Sequence, residues 1–286
     1  MKKSIKVLLS IAFILCAVGA LLIGFGIEKD GREDLRENVS NAHTYSQEKT
    51  PLDGDITELE VDFNFANLMI KPSDDDRYHL AYHIDSASET NPFSYDIENG
   101  CLHLQEADSD ALYYKRNAVD LLSFILEADD ENAIENADST VTLYVPKDTL
   151  QSLDLQMEYG DLTLNDCTLN SIKGHLAYGD LYLTNAEWTA ASFGLEYGDV
   201  DGTSLRCTGL TQLTADYGDV TLVQTTIPDT NTIQIATEFG EVTVNPVFGG
   251  TLTQSEDLDN TRYERLGGTD AHLLSIKTEY GDIVLQ

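Results

Sequence analysis

From about residue 150 onward, apolar side chains recur at every second position, halt at an aromatic-glycine-acid triplet, then resume in the opposite parity. Leu153, Leu155 and Met157 lead into Glu158-Tyr159-Gly160-Asp161, and Leu162 and Leu164 follow. Ile172, Gly174 and Leu176 lead into Ala177-Tyr178-Gly179-Asp180, then Leu181 and Leu183. The phrase returns as Glu196-Tyr197-Gly198-Asp199, Asp216-Tyr217-Gly218-Asp219, Glu238-Phe239-Gly240-Glu241 and Glu279-Tyr280-Gly281-Asp282. A period of two predicts strands with one buried face. The parity switch predicts a corner between two strands, with glycine chosen because it reaches positive φ. The aromatic shares the inward parity, so it is expected to pack near the corner and stack with its equivalents as a ladder.

The six corner glycines, Gly160, Gly179, Gly198, Gly218, Gly240 and Gly281, are 19, 19, 20, 22 and 41 residues apart. A fixed period near 20 predicts an all-β solenoid, a β-helix-like stack of ~20-residue coils. The same template fits residues nearer the N-terminus. Leu59, Val61, Phe63 and Phe65 precede Ala66-Asn67, then Leu68 and Ile70; Phe93, Tyr95 and Ile97 precede Asn99-Gly100, then Leu102 and Leu104. The solenoid is therefore expected over residues 53–286. The long gap before Gly281 reads as a degenerate coil with an inserted loop, Thr253 to Thr269. Within residues 111–138, Val119, Leu122, Ile125 and Leu126 have helical spacing, so a short amphipathic helix is expected there, packed on one end of the stack or free for a partner.

The first 27 residues read differently. Lys2, Lys3 and Lys6 precede an uncharged run from Val7 to Ile27. At helical rise that run can cross a bilayer, and the lysines place the N-terminus in the cytoplasm. Residues 1–27 are expected to be an uncleaved single-pass signal anchor in the cell membrane, with the rest of the chain extracellular; a cleaved signal peptide is the alternative. Lipidation at Cys16 fits poorly, since Leu15 stands where a small residue is needed. Residues 28–52 are polar and read as a tether.

Charge narrows the partners. Setting aside the three anchor lysines leaves 14 basic residues against 50 acidic ones, a formal −36 outside the anchor. Nucleic acid is a poor partner for such a surface; cations and basic peptides are better ones. The acids are also ordered. One is expected in an outward row before each aromatic (Glu158, Glu196, Asp216, Glu238, Glu279, with Ala177 in the gap), another after each glycine (Asp161, Asp180, Asp199, Asp219, Glu241, Asp282). At strand spacing of ~4.8 Å, neighbouring carboxylates repel by about 1 kcal/mol in water and about 3 to 4 at an effective dielectric of 20. The rows need cations, hydrogen-bond donors or raised pKa values. Two readings of the second row stay open: turn-fixing acceptors of backbone N–H groups, or weak binding of Ca²⁺ or a polycation. Cys101, Cys167 and Cys207 are odd in number, and Cys167 and Cys207 lie two coils apart, so free structural thiols are expected.

Catalytic signals are sparse. Of the histidines, His79 and His83 share a face near Asp74-Asp75-Asp76, a weak metal pattern lacking a third partner. No serine-hydrolase elbow, zinc-protease helix or phosphate loop occurs. A polysaccharide-cleaving β-helix needs a base or bound cation beside its carboxylates, yet between Gln151 and Asn245 only Lys173, Arg206 and one histidine, His175, are available. No cofactor and no catalytic residues are expected.

The run Val141-Thr142-Leu143-Tyr144-Val145-Pro146, then Leu150, Leu153 and the repeated Tyr-Gly-Asp units, resembles the putative-adhesin family of bacterial surface proteins, domain of unknown function 4097. That family's repeat commonly has serine where this chain has tyrosine. The resemblance implies a β-solenoid over residues 55–286, in a setting of membrane-anchored proteins linked to envelope stress. It carries no catalytic residues. The expected function is a non-enzymatic surface interaction scaffold for a protein or glycan. The alternatives are a sensor or sink for cationic peptides or divalent cations and, last, a glycan-cleaving enzyme.

Overall fold

The computed structural model describes residues 43–86, 88–107, 139–255, 260–267 and 272–286. Nearly all of these lie in one compact unit, Thr44–Asp85, Thr90–Ser109 and Asn136–Gln286; the other, Met1–His43, Ser86–Glu89 and Asp110–Glu135, falls almost wholly outside the described residues. The expected anchor, most of the tether and the expected helix within 111–138 also lie outside them. Among the described residues no helix is long and apolar enough to cross a membrane.

The chain enters as β1 (His43–Pro51), forms β2 (Glu58–Phe63) and β3 (Asn67–Pro72), returns as β4 (His79–Ser86), continues through β5 (Phe93–Glu98) and β6 (Cys101–Glu106), and resumes at β7 (Thr140–Val145). Regular coils follow: β8 (Ser152–Met157) with β9 (Leu162–Asn165), β10 (Thr168–Tyr178) with β11 (Leu181–Thr184), β12 (Glu187–Tyr197) with β13 (Val200–Thr203), β14 (Arg206–Tyr217) with β15 (Val220–Val223), and β16 (Thr232–Phe239) with β17 (Val242–Val244). After a single 3-10 turn come β18 (Thr251–Gln254), β19 (Thr261–Arg265) and the last coil, β20 (Leu273–Tyr280) with β21 (Ile283–Leu285).

Each coil contributes one strand to each of two facing sheets. One sheet runs β1-β4-β7-β3-β9-β11-β13-β15-β21-β17, the other β18-β19-β16-β20-β14-β12-β10-β8-β2-β6-β5. Neighbouring coils of the stack pair in parallel, in register apart from a shift at Trp188–Ala190 where β12 meets β14: Ile172 lies beside Ala191 and Leu153, Tyr178 beside Tyr197. The alternation does what the pattern predicts. In β10 the side chains of Leu169, Ile172 and Leu176 point inward and Gly174 is buried with them, while Lys173 and His175 point out. A fully buried leucine of this kind contributes about 1.5–3 kcal/mol, and leucines such as Leu153, Leu155, Leu162, Leu164, Leu176, Leu181 and Leu183 line the interior. Gly174 belongs to this inward set because Phe193 of the next coil fills its space; a Cβ there would lie 2.7 Å from the ring.

Several expectations are corrected. Residues 93–104 are not a coil: β5 and β6 pair antiparallel through Asn99 (φ 53°) and Gly100 (φ 86°), the left-handed pair of a tight hairpin turn. The polar stretch expected to be a tether, 28–52, ends in strand β1, whose polar sequence hides it because Tyr45 alone packs on the core. The gap before Gly281 holds β18 and β19, an antiparallel pair continuing the sheet beyond β16. The coils are also not stacked in chain order. The last coil, β20–β21, lies between β14–β15 and β16–β17. Antiparallel β19, β4 and the β5–β6 hairpin therefore cap ends that a bare parallel stack would leave open to edge pairing.

Candidate interaction face

At the first corner of each coil the backbones approach closely. A Cβ on Gly179 would lie 2.1 Å from the carbonyl oxygen of Gly160, on Gly198 2.1 Å from that of Gly179, and on Gly281 2.0 Å from that of Gly218. Side-chain carbons essentially never come within 3.0 Å of such an atom. Clearance, not backbone hand, is the reason for glycine. Of the six corner glycines only Gly218 and Gly281 have a positive φ, at 159°, almost extended.

The residues around this corner form three parallel rows. The middle row is aromatic: Phe65, Tyr159, Tyr178, Tyr197, Tyr217, Tyr280 and Phe239, in that spatial order. Their ring centroids are 5.3, 5.0, 5.1, 4.8, 5.0 and 4.8 Å apart, with planes within 10° of parallel. The expected ladder is present, but its rings do not pack inside. Tyr178, Tyr197, Tyr217, Tyr280 and Phe239 are 41–47% exposed. The alternation ends at the corner: Leu176 is buried, Ala177 half-buried and Tyr178 exposed. Each ring's faces are covered by its neighbours, so the solvent meets ring edges and hydroxyls. Packing within the stack and the adjoining Glu279 and Asp216 hold the Tyr217 hydroxyl above its ordinary pKa.

On the far side of the glycines runs the second acidic row, and hydrogen-bond donors resolve its repulsion. The Asp180 N–H donates to Asp161 Oδ1, that of Asp199 to Asp180 Oδ1, and that of Asp219 to Asp199 Oδ1, each at 2.8 Å. The Asp282 N–H donates to Asp219 Oδ1 at 2.7 Å and that of Glu241 to Asp282 Oδ1 at 2.8 Å. At the other end the Asp161 N–H donates to Asn67 Oδ1 at 2.8 Å. Each of the five aspartates thus binds the neighbouring coil with its carboxylate rather than its own turn. Tyr182 donates its hydroxyl to Asp180 Oδ2 at 2.9 Å, which with partial burial pushes its pKa up to about 12.

The first acidic row, Glu158, Glu196, Asp216, Glu279 and Glu238, is exposed throughout. Only Glu196 has a basic side chain within 4 Å among the described residues, the imidazole Nε2 of His175 at 3.5 Å. A half-exposed aromatic ridge therefore runs between two lines of carboxylates for about 30 Å, the length of six strand spacings. The ridge is closed at its Phe65 end by Glu106, a buried carboxylate that accepts the N–H groups of Asn64, Phe65 and Ala66 at 3.1, 2.8 and 2.9 Å.

The second corner of each coil has no glycine and no shared phrase to mark it in the sequence. It is a column of left-handed residues: Asp166 (φ 51°), Asn185 (φ 49°), Ser204 (φ 59°) and Gln224 (φ 54°). Asp and Asn tolerate this conformation, and the polar side chains bond along the column: Asn185 Nδ2 donates to Asp166 Oδ1 at 2.6 Å and Ser204 Oγ to Gln224 Oε1 at 3.0 Å.

The remaining expected sites stay apart. His79 Nε2 bonds Asp75 Oδ1 at 2.8 Å, while His83 Nε2 faces Asp85 at 3.6 Å, so the two imidazoles use different carboxylates and do not converge. The His79 bond and the Arg77 N–H hold Asp75 down to about 2. Cys101, Cys167 and Cys207 are unpaired, and burial pushes Cys167 and Cys207 up to about 12.

Two facing, largely parallel sheets are thus joined, at the first corner of each coil, through an aromatic-glycine-acid phrase. The model of the Toastrack family, DUF4097, matches residues 56–286, and the chain belongs to that family. Among solved structures, the chain is similar to one from Clostridium sporogenes described as a "putative cell adhesion protein", with 12% identity, TM-score 0.41, and 85% of this chain and 97% of that one covered. A "putative adhesin" from Bacteroides fragilis matches with 11% identity, TM-score 0.37, and 86% and 97% covered. A "putative lipid binding protein" from Parabacteroides distasonis matches with 12% identity, TM-score 0.28, and 86% and 97% covered. No match is found among curated proteins.

Proposed function

We propose that this chain is a non-enzymatic binding scaffold of the cell surface, held to the membrane by residues 1–27, whose aromatic ridge and flanking carboxylates hold cationic, partly apolar chains such as amphipathic basic peptides. The observation that carries this reading is the ridge itself. Half-exposed ring edges supply apolar contact, and the outer row of Glu158, Glu196, Asp216, Glu279 and Glu238 supplies charge beside it. The whole chain carries a formal −33, so basic partners are drawn to it and anionic polymers repelled. A polyvalent chain suits the ridge better than Ca²⁺, which takes six to eight oxygens. In the inner acidic row one oxygen of each aspartate already accepts an N–H.

The experiment is calorimetric titration of the full chain with an amphipathic Lys/Leu peptide and with oligolysine, at low and high salt. The amphipathic peptide should bind more tightly than oligolysine. Raising salt should weaken both. Neutralising Glu196→Gln, Asp216→Asn and Glu279→Gln together should cut affinity about tenfold, at 1.4 kcal/mol per tenfold. Unchanged affinity in that triple variant, or equal binding of an anionic polymer, would refute the proposal. Release of sugar ends from common polysaccharides would instead favour an enzyme.

A further inference from the structure

On the outer face of the second sheet, away from the ridge, strand β6 presents Cys101 and His103 two residues apart and therefore on one side. The sheet register surrounds them with carboxylates. His103 is paired with Glu60 on β2 and with Asp96 on β5, while one rung along Cys101 is paired with Glu58 and Glu98. The donor atoms of Glu60, Cys101 and His103 all lie within 4.8 Å of one another, and His103 Nδ1 is 2.9 Å from Glu60 Oε2. The thiol is buried at the bottom of this cluster, whereas the imidazole and carboxylate remain accessible from solvent.

We propose that Cys101, His103 and Glu60 form a binding site for a borderline divalent transition-metal ion of the Zn²⁺ class, with a carboxylate of the same rungs or a water as fourth ligand. One sulfur, one nitrogen and one oxygen donor are a set that such ions favour and that Ca²⁺ and Mg²⁺ do not. Ligand atoms around tetrahedral zinc stand about 3.4–3.6 Å apart, given bonds of about 2.0–2.3 Å. To admit an ion, the His103–Glu60 contact at 2.9 Å opens slightly while the Cys101 sulfur, within 4.8 Å of both donors, closes on it; these are side-chain movements on a strand backbone already fixed by pairing on both sides. The surroundings favour a cation as well. Glu58, Glu60, Asp96 and Glu98, the strand partners of Cys101 and His103, set four carboxylates around the cluster with no lysine or arginine among those partners. Neither Cys167 nor Cys207 has such a set of donors among the described residues.

The test uses the full chain, stripped with chelator under reducing conditions and titrated with Co²⁺ as a spectroscopic stand-in, then with Zn²⁺. The expected result is one equivalent of Co²⁺, a thiolate-to-cobalt charge-transfer band, and displacement of that band by Zn²⁺ but not by Ca²⁺. Cys101→Ser should abolish the band, and His103→Gln should weaken cobalt affinity at least tenfold. Cys167→Ser should change neither. Should Cys101→Ser fold poorly, His103→Gln with circular dichroism as a folding check decides the matter. Absence of the band in the parent protein, its persistence in Cys101→Ser, or equal displacement by Ca²⁺ would each overturn the site.

Discussion

Gly198 and Gly194 sit four residues apart on the same coil, yet replacing each with alanine should have opposite consequences. A Cβ at Gly198 would stand 2.1 Å from the Gly179 carbonyl oxygen, an immovable backbone atom, so the two corners must part by about an ångström to reach ordinary contact. Three hydrogen bonds cross that interface at the corner. They are Gly179 N–H to Tyr197 O at 3.2 Å, Leu181 N–H to Asp199 O at 2.9 Å, and Asp199 N–H to Asp180 Oδ1 at 2.8 Å. Stretching all three past useful length costs about 0.5–1.5 kcal/mol apiece, so Gly198→Ala should lose about 2–4 kcal/mol. At Gly194 the added Cβ would meet only His175 Nδ1, at 3.5 Å, an ordinary contact. Alanine there also restricts the unfolded chain, so Gly194→Ala should be neutral or stabilising by about 0.5 kcal/mol. Thermal melting followed by far-UV circular dichroism reads the difference. The destabilised variant should melt about 4–16 °C lower, at about 2–4 °C per kcal/mol for a domain of this size. The two variants melting together would refute the clearance argument for the corner glycines.

Three further outcomes follow from named contacts. Glu106→Gln keeps the shape of a buried side chain that accepts three N–H groups but removes its charge, and should cost about 1.5–3 kcal/mol in denaturant titration. Thr211→Val strands the buried Trp188 Nε1–H, now 2.8 Å from Thr211 Oγ1; a loss of about 1–3 kcal/mol is expected, with altered tryptophan fluorescence. Asp75 has its folded-state pKa depressed to about 2 from 3.8, so its stabilising effect is present above pH 4 and lost as the pH falls toward 2. Asp75→Asn should therefore melt below the parent at neutral pH, with the gap closing between pH 4 and 2. A pH-independent gap would contradict that assignment.

The repeat is legible in the sequence because strand parity and corner clearance both act on single residues. Leu176 and Leu181 must point inward, Gly179 cannot carry a Cβ, and Tyr-Gly-Asp marks the place each time. The rows of acids are legible for the same reason, and donors prove to be what steadies the inner one. What stays hidden has no local signature. Asp166, Asn185, Ser204 and Gln224 share a left-handed backbone but no common side chain. Strand β1 is polar because it lies at an edge. The parity rule misplaces Tyr178 because it assumes a straight strand up to the corner. Asn99-Gly100 reads as a corner, although a two-residue turn with both φ positive closes a hairpin. Cys101, His103 and Glu60 meet only through the pairing of β2 with β6, which no spacing within one strand reveals. The chain order of the coils misleads in the same way, since β20 fits between β14 and β16 by register alone.

That insertion bears on how the molecule is made. Synthesis delivers β16 and β17 well before β20 and β21, yet the first pair cannot rest on its final neighbour until the second slides between them. The seat for residues 273–286 is a slot flanked by β14–β15 on one side and β16–β17 on the other. A nascent chain must either hold that slot open or fill it provisionally and rearrange. Completion of the array thus waits until residues 273–286 have left the ribosome, and this segment acts as the wedge that locks the outer layer in place.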